Sequence, residues 1–162
     1  MGDYRLFDVN SRCVFTLSDS PYTRDELNMS NVAEKISGGC LCGEVRFRVP
    51  VSPTIQTLCF CSDCQKISGS SSYCAYLIPL DQLALIKGLP LSFTVKSDAG
   101  RNNCRKFCGN CGSRLWAELE FGMASVNGMA FDEKRFFNPT HNHRLENAPD
   151  WCSIDKELET LS

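Results

Sequence analysis

Cys108-Gly109-Asn110-Cys111-Gly112 sets two thiols three residues apart with a glycine directly behind them. This is the pattern of a zinc knuckle, because backbone N–H groups in the turn point at the sulfurs and glycine permits the tight geometry. One knuckle supplies two ligands. A closed tetrahedral structural site takes four, with Zn–S distances of about 2.3 Å, so a second pair must join it from elsewhere in the chain. Two clusters precede the knuckle, Cys40-Leu41-Cys42 and Cys59-Phe60-Cys61-Ser62-Asp63-Cys64, and the three together offer seven thiols.

Seven ligands divide naturally into four and three. If Cys40 and Cys42 join Cys108 and Cys111, a structural four-cysteine site stitches together parts of the chain far apart in sequence. Cys59, Cys61 and Cys64 are then a compact trio able to hold a second zinc with one position open, the signature of a catalytic metal. Two plainer readings stand beside this one. A fourth sulfur, Cys104 or Cys74, closes the trio as well, or the clustered cysteines are buried thiols with no metal. Cys13, Cys74, Cys104 and Cys152 stand alone and read first as small apolar fillers. His141 and His143, the only histidines, lie in the polar run Asn138–His143 and read as loop residues.

Composition narrows the rest. A chain of 162 residues, 43% hydrophobic and 22% charged, suits one soluble globular domain. With 17 Lys and Arg against 19 Asp and Glu, the net charge of −2 argues against a protein that binds nucleic acid by neutralising phosphates. Eleven cysteines cannot all pair with one another, and Met1–Leu6 opens no apolar run of signal-peptide length. Clustered cysteines in a reducing compartment bind metal or do thiol chemistry, which points to the cytoplasm. No stretch of about 18 apolar residues is present, so no membrane span is expected. Leu6 spoils a myristoylation motif, and the Asn28-Met29-Ser30 sequon has no consequence in a cytosolic chain.

Residues 1–37 read as an N-terminal extension that packs on the domain, since Leu6, Phe7, Val14 and Phe15 would be unusual in a free tail. The zinc-binding domain occupies residues 38–162. Its brief alternating runs, broken by Gly, Pro, Asn and Ser, predict a mostly β fold with few short helices. Strands are expected at Glu44–Val49, Ile55–Leu58, Ser72–Ile78, Leu91–Val95, Cys104–Phe107, Arg114–Glu118 and Met123–Val126. A short helix should follow Ser62 with a Ser or Asp cap. Pro79–Leu85 and Asp155–Leu161 are further helix candidates.

The clusters, in this order, resemble the glutathione-dependent formaldehyde-activating enzyme family, which also includes centromere protein V. The resemblance runs from Gly38 to about Trp151. It rests on Gly39-Cys40-Leu41-Cys42-Gly43-Glu44-Val45, on Cys59–Lys66 with Gly69-Ser70 behind it, on Arg105–Ser113, and on a looser Pro139…His141…Trp151 tail. It implies a zinc-stapled, complex β fold of the Mss-four-like kind. It also implies a structural zinc on Cys40, Cys42, Cys108 and Cys111 and a catalytic zinc on Cys59, Cys61 and Cys64. Two departures stand out: residues 1–37 have no counterpart in the family's core pattern, and Asn142-His143 stands where members often carry a His followed by an apolar residue.

Three thiolates on Zn²⁺ leave a local charge of about −1, so such a metal acidifies water poorly and suits exchange of its fourth ligand for a substrate thiol. The expected function is that of a zinc-dependent carbon–sulfur lyase, or of an enzyme forming thiol adducts by the reverse step, acting on glutathione or other thiol conjugates of an aldehyde-like electrophile. The expected partner is a small-molecule thiol adduct, with no nucleic acid or membrane. Anionic glutathione needs cations, and Lys66 and Arg105 are the preferred candidates among Lys66, Arg101, Arg105, Lys106 and Arg114. Glu44 and Asp63 are the carboxylates in reach of the clusters in sequence, and Phe60 and Tyr73 candidate apolar wall. Two other readings are a zinc-stapled interaction module without catalysis, and an open-zinc enzyme that hydrolyses, hydrates or isomerises another small molecule. Nothing in the sequence reports the oligomeric state.

Overall fold

The computed structural model describes residues 35–97 and 100–161. The expected packing of Leu6, Phe7, Val14 and Phe15, and the lone Cys13, lie outside the described residues. Eleven strands and one α-helix are described: β1 Lys35–Gly39, β2 Arg46–Pro50, β3 Ile55–Cys59, α1 Ser62–Ser68, β4 Tyr73–Pro79, β5 Ala84–Lys87, β6 Leu91–Lys96, β7 Asn102–Phe107, β8 Arg114–Leu119, β9 Met123–Asn127, β10 His141–His143 and β11 Glu159–Leu161. The fold is mostly β, as the alternating runs predict. The strands form two sheets, one ordered β1-β2-β5 and one ordered β11-β10-β3-β4-β9-β8-β7-β6.

The sheets meet through aromatic side chains. Phe47 of β2 packs edge-on against Trp116 of β8, with ring centroids 5.8 Å apart. Phe131 stands against Tyr76 of β4 at 4.9 Å and against Phe47 at 6.3 Å. Such edge-to-face contacts add to the burial of large apolar area. Tyr76 keeps its hydroxyl satisfied by donating to the Pro50 carbonyl at 2.7 Å. Ile36, Val45, Val49, Ile78, Leu115 and Val126 fill the space around the rings, and Cys40 and Cys108 belong to the same cluster. The first and third cysteine groups are therefore built into the core.

Four short elements differ from the expectation. Pro79–Leu85 is not a helix: Leu80–Gln82 makes one 3-10 turn, and Ala84–Lys87 then pairs with β2 as a sheet edge. Asp155–Leu161 is not a helix either, because Glu159–Leu161 pairs parallel with β10. His141–His143 is a strand rather than a loop, parallel to β3 on its other side. β1 has no counterpart among the expected strands, since Lys35-Ile36-Ser37-Gly38-Gly39 offers one large apolar residue to any periodicity. In each case distant partners supply the hydrogen bonds that local pattern cannot announce.

Candidate metal centres

The first centre is built by two turns of matching form. In the β1–β2 turn the Cys40 N–H donates to the Val45 carbonyl at 3.0 Å and Gly43 N–H to the Cys40 carbonyl at 3.1 Å. In the β7–β8 turn the Cys108 N–H donates to the Ser113 carbonyl at 3.0 Å and Gly112 N–H to the Cys108 carbonyl at 2.9 Å. Gly43 and Gly112 each adopt φ 73°, the left-handed conformation that disfavours a side chain. The turns bring Cys40, Cys42, Cys108 and Cys111 together with all four sulfurs within 4.8 Å of one another. Cys40 and Cys42 Sγ are 3.5 Å apart, and Cys42 and Cys108 Sγ 3.7 Å. A tetrahedron with bonds of about 2.3 Å separates its sulfurs by about 3.8 Å, so the donor set fits zinc.

Ser113 ties the two turns to each other. Its hydroxyl accepts from Leu41 N–H at 3.0 Å and lies 3.2 Å from Cys111 Sγ. With the Ser113 hydroxyl and N–H as the largest contributors, Cys111 is pulled down to about 5. Outer partners of this kind typically carry 10–100-fold in metal affinity. Ser113→Ala is accordingly expected to speed zinc loss from this centre to a chelator by about tenfold while the fold persists; an unchanged release rate would show that the hydroxyl only fills space.

The second centre forms where β3 runs into α1. Cys59 is the last residue of β3, and Cys61 is the N-cap of α1, its sulfur accepting from Cys64 N–H at 3.4 Å. The cap is thus a thiolate in place of the expected Ser or Asp, and it fixes Cys64 one turn on. Gly69 closes the helix at φ 65°. The Cys59, Cys61 and Cys64 sulfurs lie within 4.8 Å of one another. No fourth sulfur joins them among the described residues. Cys74 is a half-buried free thiol outside the group, and buried Cys104 is disulfide-bonded.

Charge within the three thiols of the trio settles on one sulfur. Hydrogen bonds from Cys59 and Cys64, with the Arg105 charge as a smaller contribution, pull Cys61 down to about 2. Its neighbours respond in the opposite sense. Cys59 is pushed up to about 11, mainly by its bond to Cys61, and Cys64 is pushed up by both sulfurs and by burial. At neutral pH Cys59 and Cys64 are therefore thiols, and a metal that needs three thiolates must displace both protons. Zinc uptake by this centre is expected to release about two protons at pH 7 and to weaken as pH falls. Calorimetry in buffers of different ionisation enthalpy measures this; zero release would contradict the assignment.

Arg105 is the cation built into this centre. Buried on β7, it donates from Nη2 to Asp63 Oδ2 at 3.1 Å, bracing the loop between Cys61 and Cys64. Its Nε is buried without a partner among the described residues. Lys66 stands on the exposed side of α1. Arg114 is committed to structure: its guanidinium donates to the Lys106 and Trp116 carbonyls and lies 5.9 Å from the Tyr73 ring centroid. Lys106 pairs with Glu118 at 3.3 Å, and Arg101 lies over Phe121. Glu44 is exposed beside the first centre. Phe60 and Tyr73 are buried, and the Tyr73 hydroxyl donates to the Ser125 carbonyl at 3.3 Å.

Sequence reasoning missed His143. Parallel pairing of β10 with β3 sets His143 opposite Cys59, and its Nδ1 lies 3.3 Å from Cys59 Sγ. A cavity of about 690 Å³ lies nearby, lined by Ile67, Ser68, Tyr73 and Arg114 on one side and by Cys111 and Ser113 on the other. No helix among the described residues is long and apolar enough to cross a membrane.

Two comparisons with known proteins agree with this arrangement. The family model described as glutathione-dependent formaldehyde-activating enzyme matches residues 35–147, from β1 through the turn after β10. A protein of Halomonas elongata named "Putative glutathione-dependent formaldehyde-activating enzyme" is 33% identical over 132 residues, covering 74% of this chain and 81% of its own length. All seven clustered cysteines fall within the matched segment. The chain belongs to the glutathione-dependent formaldehyde-activating enzyme family.

Proposed function

We propose that this protein is a zinc-dependent carbon–sulfur lyase, or the adduct-forming enzyme that runs the same step backwards, acting on glutathione or other thiol conjugates of an aldehyde-like electrophile. Two zinc ions per chain serve it, one structural on Cys40, Cys42, Cys108 and Cys111 and one catalytic on Cys59, Cys61 and Cys64. The single observation that carries the reading is the trio itself: three sulfurs within 4.8 Å of one another and no fourth sulfur or carboxylate in the group. A zinc held by three thiolates supplies a soft Lewis-acid position that favours the thiolate form of an incoming thiol.

The chain's own residues do the rest. Arg105, buried and held by Asp63, offsets the negative charge of three thiolates. Lys66, exposed on α1 two residues beyond Cys64, attracts a carboxylate end of the thiol cosubstrate. In the adduct-forming direction the thiolate sulfur attacks the aldehyde carbon, a C–S bond forms, and the C=O π pair becomes an alkoxide that takes up the proton lost by the thiol. In reverse the hydroxyl loses that proton, the C=O bond re-forms, and the sulfur leaves with the C–S bonding pair. The described cysteines other than Cys104 are outside any disulfide, which supports a reducing, cytoplasmic setting.

Exchange NMR with ¹³C-formaldehyde and glutathione tests the reading directly. The zinc-loaded protein is expected to accelerate interconversion of free and adduct carbon, with no acceleration when the thiol is omitted. Conversion of other small molecules without any thiol, or no acceleration with a panel of thiols, would overturn it.

A further inference from the structure

The strand β10 and the turn behind it are fastened to the trio at three points. Phe60 N–H, one residue past Cys59, donates to the His143 carbonyl at 2.9 Å. Gln65 of α1 donates from Nε2 to both the Phe60 carbonyl at 2.9 Å and the Asn147 carbonyl at 2.8 Å. The third point is the side-chain contact, His143 Nδ1 to Cys59 Sγ at 3.3 Å. Arg144, directly after His143, has φ 58°, the one non-glycine residue described with positive φ. A strained backbone at that place is retained only where its surroundings over-determine it. Here it turns the chain sharply while leaving the His143 ring against the sulfur.

We propose that His143 is a positioning residue of the trio: its Nδ1–H donates to the Cys59 sulfur, fixing that thiolate and drawing electron density from it. The inference rests on the reading of Cys59, Cys61 and Cys64 as a metal centre. An N–H···S bond restrains the sulfur that closes β3, and Cys61 and Cys64 are restrained through α1 instead. Each of the three donors then has its own support. His143 stays outside the group of mutually close ligand atoms, so it acts on the metal through Cys59 rather than by binding it.

Cobalt in place of zinc gives a readout independent of turnover. Subtracting the spectrum of cobalt-loaded Cys61→Ala, which retains the first centre, isolates the trio's sulfur-to-cobalt charge-transfer bands. In His143→Ala these bands are expected to move to lower energy, because the sulfur regains electron density, and cobalt release to a chelator to quicken by about tenfold or more. His143→Asn, whose amide N–H reaches from near the Nδ1 position, is expected to restore both. Unchanged bands and release in His143→Ala would overturn the proposal, as would X-ray absorption showing imidazole bound to the trio's metal in the parent protein. A parent that takes up no cobalt at the trio would instead overturn the two-metal reading, and this proposal with it.

Discussion

Cys108→Ala is expected to yield a chain that does not fold. Cys108 is 1% exposed and lies in the core cluster with Phe47, Trp116 and Leu115, so truncation opens a cavity where the β7–β8 turn meets the small sheet. The larger loss is that of the ion proposed for this centre. A structural zinc contributes roughly 10 kcal/mol or more of apparent binding energy at pH 7, and all of it is folding energy when the unfolded chain has no site. A domain of this size is stable by about 5–15 kcal/mol in total. Losing one of four ligands therefore removes a share comparable to the whole margin. The two turns would also part, because Cys40 and Cys42 meet Cys108 and Cys111 only across the two sheets. Circular dichroism and urea titration of the variant read the result. A cooperative unfolding transition with parental midpoint would show that the aromatic core holds without its staple.

Cys61→Ala should do the opposite: keep the fold and silence the chemistry. The residue is half-exposed at the start of a seven-residue helix, and what the fold loses there is a helix cap, typically worth ~1 kcal/mol. The trio loses its middle donor, the sulfur most readily ionised of the three. Two donors do not hold zinc against buffer. Metal content is expected to fall from two ions per chain to about one, with a thermal unfolding curve close to that of the parent. Formation and breakdown of the thiol adduct should slow by about 10³ or more, since Lewis-acid stabilisation is worth several kcal/mol and each 1.4 kcal/mol is tenfold. A single zinc in the parent protein, or full activity in the variant, would contradict the division of labour between the centres.

The contrast between these variants follows from where each cluster is built. The cysteines at 40 and 108 are core residues, so their chemistry and their packing cannot be separated. The trio sits at a strand end capped by one short helix, where local restraint is enough. Both clusters were legible as close cysteine spacing, and Gly112 at positive φ is the glycine that the C-x-x-C turn called for, whereas the matching role of Gly43 was not foreseen. Arg105 was legible as a cation flanking a cluster, although its ion pair with Asp63, 42 positions away, was not. The helix cap was misread because a sulfur takes the place usually given to oxygen. His143 was read as a loop residue because Asn138–His143 is polar and short, and neither feature separates a loop from a three-residue strand.

By itself the sequence determined a mostly β domain, the seven thiols and their division into four and three, since ligand count and turn spacing are local constraints carried by the residues that obey them. Only the tertiary structure decided which strands run beside Cys59, which cation faces Cys61, and that β10 and β11 are strands at all. The place of β10 beside Cys59 depends on parallel pairing between segments more than 80 residues apart, as His143 is from Cys59. The free energy of such pairing comes from the partner strand, which leaves no period or spacing in the segment itself.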